Sequence, residues 1–250
     1  MLSVDSNPPS GAAGEAAVGS PGSNAGSQLG ARTWSIALIA GLAAGTIAWG
    51  IGERMLIPEL VLPTAKGTNT DLTLAAEGIR NGVVAFGVLG AVMGVCAGVA
   101  GGVIRRSVLW TILAAASGFV LGGGVGMGIA KLLVPIYYEH IRENDLTHPL
   151  IVHGGTWAGV GAVAGLAFAI GLGGGWGRML RLVAGCAGAA LLAAFIYDFV
   201  GVIVFPLAMT DRPVSKTWET RLLARLLVAV LIAVGAVLAS RPVALRSLRH

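Results

Sequence analysis

The chain has 250 residues, 55% of them hydrophobic and only 12% charged, with 39 glycines, a net charge of +5 and a mean hydropathy of +0.81. A water-soluble domain carries about twice that share of charge. The balance excludes a soluble globular fold and leaves a polytopic membrane protein, whose backbone must satisfy its own hydrogen bonds as helices.

Residues 1–31 are rich in Gly, Ser, Ala, Pro and Asn and almost free of large apolar side chains. Such a segment cannot offset its chain entropy by burial, so a disordered cytoplasmic tail is expected. It has no basic start followed by an apolar core, so it does not read as a signal peptide. Six apolar stretches follow in the region 32–241: 34–52, 79–104, 108–134, 150–175, 182–205 and 222–240. Each reaches the roughly 20 residues that a helix needs to cross a hydrocarbon core. Together they predict an all-α bundle of six transmembrane helices.

The second span carries Gly90, Gly94, Gly98 and Gly102, the third Gly118, Gly122 and Gly126, and the fourth Gly161, Gly165, Ala169 and Gly173. Four-residue spacing puts these small residues on one face of each helix, where they allow close helix contact in lipid. A tight centre of the second, third and fourth spans is expected, with the sixth at the periphery. Helices that slide, or a glycine-lined pore, are the functional alternative to simple packing. Cys96 and Cys186 lie inside spans without a CxxC partner and read as small core residues.

Between the third and fourth spans stand Tyr137, Tyr138, His140, Glu143, Asp145 and His148. Histidines and carboxylates are ordinary ligands of divalent metals, so His140, Glu143, Asp145 and His148 form a weak candidate metal set. The spacing matches no established site, and a solvated loop is the simpler reading. The tyrosines suit an interfacial aromatic belt.

Four polar groups fall within or at the edge of spans: Arg80, His153, Asp198 and Arg225. Asp198 precedes Pro206 by eight residues, which places it about 12 Å below the end of its helix. An ionisable group at that depth faces the bundle and needs a partner, and His153 or Arg225 is expected to supply it. A structural pair and a proton or cation site both remain open.

One end of the bundle gathers Arg32, Arg105, Arg106, Arg178, Arg181, Arg241, Arg246 and Arg249, opposed only by Asp5 and Glu15. The other holds the remaining nine basic residues with nine acids. Arginines packed into short turns favour the cytoplasm for the first end, and so for both termini and the short tail 242–250. This topology accounts for the positive charge without nucleic acid.

Pro58, Pro135 and Pro206 each close the first helix of a hairpin, 77 and 71 residues apart. Three two-helix repeats would give this pattern, and so would proline's local inability to continue a helix. Mitochondrial carriers share the hairpin count, but their charged signature after the proline is missing: Pro58 precedes Glu-Leu-Val and Pro135 precedes Ile-Tyr-Tyr.

No nucleophile elbow, P-loop, dinucleotide fingerprint or HExxH motif is present, which argues against an enzyme. The expected role is a tightly packed scaffold or accessory subunit, homo-oligomeric or part of a larger complex, in the lipid bilayer of a bacterial cytoplasmic membrane. The alternative is a small-solute or ion channel or transporter that uses Asp198. No cofactor is predicted beyond the metal option in the outer loop.

Overall fold

A computed structural model describes residues 22–56, 69–140 and 147–241. Six helices follow in order: α1 (Gly22–Met55), α2 (Asn69–Arg105), α3 (Val108–Glu139), α4 (Thr147–Leu172), α5 (Trp176–Val204) and α6 (Trp218–Ser240). There is no strand among the described residues. All six helices contain a stretch long and apolar enough to cross a membrane.

The surface shows what surrounds them. Thirty-two large apolar side chains are exposed among the described residues, including Ile39, Val108, Leu132 and Ile203. Moving so many from water into hydrocarbon is favourable by on the order of tens of kcal/mol, which makes a bilayer their natural surroundings. The interior is built from smaller residues, with Ala44, Ala48, Ala85, Ala114 and Ala130 fully buried. Large residues outside and small ones inside are the arrangement that lipid rewards.

Helix ends depart from the expected spans for local reasons. Residues 1–21 of the N-terminal segment and the tail 242–250 lie outside the described residues, as does Pro58. From Gly22 the chain is already helical, and the apolar part of α1 begins at Gly30. Likewise α2 starts ten residues before its expected span. Extending an existing helix costs far less than nucleating one. Pro135 does not end α3, which runs on to Glu139. A proline this near the helix end removes only one ladder bond. By contrast α5 stops at Val204, two residues before Pro206.

The fourth span ends at Leu172 rather than at residue 175. Gly173 (φ +74°) and Gly174 (φ +136°) reverse the chain, conformations that side chains strain to adopt. Gly173 therefore belongs to a turn and not to the packing stripe. Arg178 and Arg181, expected in that turn, sit in the opening turns of α5.

Five helices close a ring in the order α1, α6, α5, α4, α2, and α3 lies outside it in the groove between α2 and α4. In the most apolar part of α4, 61% of residues are buried, against 22% in α3 and 44% in α6. This corrects the expected centre: α2 and α4 are interior, α3 is more lipid-exposed than α6. The reason is that α3 uses one face. Gly118 and Gly122 lie so close to Gly94 and Gly90 that a Cβ on any of the four would strike the carbonyl opposite. Gly98, Gly102 and Gly126 extend the same seam against Ala114, Thr111 and Phe86. Phe119, Val120 and Leu121 face outward. Across the ring, Gly161 and Gly165 meet the carbonyls of Cys186 and Leu182 on α5.

At the centre of the ring lies an apolar cavity of about 20 Å³, lined by Ala37, Met93, Phe168, Cys186 and Ile232 among others. Cys186 caps one side by directing its thiol at the Ile232 carbonyl, 3.7 Å away.

Candidate functional site

The segment between α5 and α6 is folded down over the bundle. Lys216 N–H donates to the Ala208 carbonyl at 3.0 Å, and Ala208, Thr210 and Ser215 are buried. Thr210 seats against Gly201, where any Cβ would collide with it. The Tyr137 hydroxyl at the end of α3 donates to Asp211 Oδ2 at 3.2 Å and ties the segment sideways.

Beneath this cover is a second cavity of about 20 Å³, lined by Phe86 of α2, His153 and Trp157 of α4, Tyr197 of α5, Pro213–Ser215, and Arg221, Ala224 and Arg225 of α6. A space of this size has room for one water molecule. His153 Nδ1 stands 2.7 Å from Asp198 Oδ1. His153 and Asp198 are both buried, with 2% and 7% of their side chains exposed. Asp198 Oδ2 is buried and has no hydrogen-bond partner among the described residues.

An aromatic frame fixes the imidazole. Trp157 and Tyr197 each place a ring centroid 5.5 Å from that of His153, Tyr197 edge-on, and they lie 5.5 Å from each other. Thr156 satisfies its own hydroxyl on the Val152 carbonyl at 2.5 Å, so it does not reach into the site. Arg225 is buried and holds its guanidinium 5.9 Å from the centre of the Phe86 ring. It forms no ion pair with Asp198 among the described residues. Of the two partners expected for Asp198, the structure brings in His153. Arg225 joins the same cavity wall without touching the acid.

Arg221 forms the rim. Its Nε and Nη2 donate to the two oxygens of Glu53 at 2.5 and 2.6 Å, and Nη1 donates to the Ser215 and Lys216 carbonyls at 2.9 and 2.8 Å. One side chain thus clamps the end of α1, the start of α6 and the covering segment. Thr220 adds a bond to the Ser215 hydroxyl at 2.8 Å.

Arg80 is exposed on α2 and does not line this cavity. In the outer metal candidate, Glu143 and Asp145 fall outside the described residues. His140 and His148 stack face to face with centroids 4.6 Å apart and planes 11° apart. Parallel rings do not converge on a metal, and no group of three candidate ligands gathers among the described residues. His140 Nδ1 is within hydrogen-bond reach of the Ile136 carbonyl at 2.9 Å.

Sequence reasoning did not pick out Trp157, Tyr197, Arg221 or Glu53 as site residues. Two signals were available: Trp157 lies one turn after His153, and Arg221 one turn before Arg225. The Glu53–Arg221 contact spans 168 residues and leaves no such trace.

Fold and site together define an integral membrane protein with, among the described residues, six apolar helices and a buried histidine–aspartate pair near one end of the bundle. No protein-family model, curated protein or solved structure matches the chain.

Proposed function

We propose that the protein is a non-enzymatic, tightly packed scaffold or accessory subunit of a membrane complex, acting in a bacterial cytoplasmic membrane with both termini in the cytoplasm. The observation that carries this reading is the closed centre of the ring. The space found there is about 20 Å³ with an almost entirely apolar wall, too small and too dry for a hydrophilic path. The glycine-lined seam between α2 and α3 supports the same reading, since it fixes helices by backbone contact. The outer face of α3 supplies apolar surface for a second copy or another membrane subunit. The threefold hairpin repeat belongs to this reading as well. The end of α5 before Pro206 supports it, and the passage of α3 through Pro135 counts against it.

The test is purification in mild detergent with chemical cross-linking and mass determination. A stoichiometric partner or a defined homo-oligomer is expected; a monodisperse monomer at every concentration would overturn the scaffold role.

A second reading, an ion or proton translocator that uses Asp198, is favoured by one observation: among the described residues the buried Oδ2 of Asp198 has no hydrogen-bond partner, while His153, bonded to its other oxygen, lines a water-sized cavity. Flux through reconstituted vesicles separates it from the first.

A further inference from the structure

At the end of the bundle opposite the histidine–aspartate pair, the α2–α3 turn and the α4–α5 turn border a cavity of about 340 Å³. Two arginines line it. Arg105, the last residue of α2, rests its guanidinium against Gly173, and Arg178 of α5 lies against Gly174. The positive φ at both glycines turns the chain tightly beneath them, and any side chain there would displace the guanidinium groups.

Each arginine is held in place with donors to spare. Arg105 lies over the Trp110 ring, 4.6 Å from its centre, a contact that leaves its in-plane N–H groups unused. Arg178 Nη1 donates to the Gly173 carbonyl at 3.1 Å, which occupies one of five donors. Neither forms an ion pair with a carboxylate among the described residues. The N-terminus of α5 opens beside them at Gly175, which has no side chain to cap it. Two positive guanidinium groups, free donors and a helix N-terminus make an anion site, and the planar guanidinium fork matches phosphate.

The setting selects the source of the phosphate. Trp110, which lines the cavity, and Trp176, two residues before Arg178, are both exposed, as side chains of the membrane interface are. Helices α3 and α5 both pack on α4 but not on each other, so the cavity sits in a cleft between two lipid-facing helices. Its volume falls in the range that encloses a small molecule.

We infer that this cavity binds the phosphate of an anionic phospholipid headgroup through Arg105 and Arg178. The inference is independent of the scaffold role. The test uses full-length protein in neutral detergent, with thermal unfolding followed in phosphatidylglycerol, phosphatidylcholine or inorganic phosphate. Phosphatidylglycerol at about tenfold excess over its dissociation constant should raise Tm by about 3–6 °C. Phosphatidylcholine and inorganic phosphate should give no comparable rise. The R105Q/R178Q double variant should lose the shift, R105K/R178K should keep part of it, and R181Q, altered at the same end but outside the cavity, should keep all of it. Native mass spectrometry of the wild type should show phosphatidylglycerol retained over phosphatidylcholine, a readout that stands even where a variant fails to fold. No rise or retention with phosphatidylglycerol in the wild type would overturn the site. So would an equal rise in R105Q/R178Q, or an equal loss in R181Q. A full rise with inorganic phosphate alone would overturn the lipid as its source.

Discussion

Two cavities of equal size, about 20 Å³ each, lie inside this bundle and are made of opposite materials. The one at the centre of the five-helix ring is walled by alanines with Met93, Phe168, Cys186 and Ile232. The one beneath the α5–α6 segment is walled by His153, Tyr197, Ser215, Arg221 and Arg225. The difference teaches what each half of the molecule does. In the apolar half, stability comes from contact alone, because lipid offers no hydrophobic drive between helices. In the polar half, burial of ionisable groups is costly without partners; His153 and Asp198 meet each other inside an aromatic frame, and Arg225 rests against the Phe86 ring.

The comparison is open to direct attack. The largest effect is expected for Asp198→Ala. It breaks the buried His153–Asp198 pair, so unfolding in detergent should show a loss of about 3–5 kcal/mol. A change below about 1 kcal/mol would mean that the acid contributes nothing to the fold. Next comes Ile232→Ala, which enlarges the apolar cavity without touching a polar group. A loss of about 2–4 kcal/mol is expected in the same assay, and the difference from wild type should be independent of pH because no titrating group is altered. A pH-dependent difference would link the two cavities. The smallest effect is expected at the rim. Glu53 and Arg221 are 25% and 18% exposed, and Glu53→Gln should cost under about 1 kcal/mol. A larger loss would make the Arg221 clamp part of the buried cluster and not its cover.

Much of this was legible in the sequence because lipid imposes a single rule on long apolar segments. The six helices and their antiparallel course follow from length and hydropathy alone. The pairing of Asp198 with His153 was within reach, since so deep an acid has few partners to choose from. What the sequence hid was which way each helix faces. In a membrane, the side turned to lipid and the side turned to neighbours are both apolar, so Phe119 and Phe168 look alike in hydropathy although one faces outward and the other is fully buried. For that reason the glycine stripe of α3 pointed to tight packing on one face and said nothing of the exposed remainder. The run Gly173–Gly175 read as the end of a helix because a turn that needs positive φ shares its composition with a packing face. The Glu53–Arg221 contact and the covering segment at 205–217 depend on residues far apart in the chain and belong to tertiary structure.

The proposed scaffold role requires a polar site that passes no ions. Vesicles reconstituted with the purified protein and loaded with a pH-sensitive dye test this most directly. The prediction is proton and monovalent-cation flux no faster than in protein-free vesicles, for wild type and Asp198→Asn alike. Flux in the wild type that the Asp198→Asn variant abolishes, while its fold and reconstitution stay intact, would contradict it.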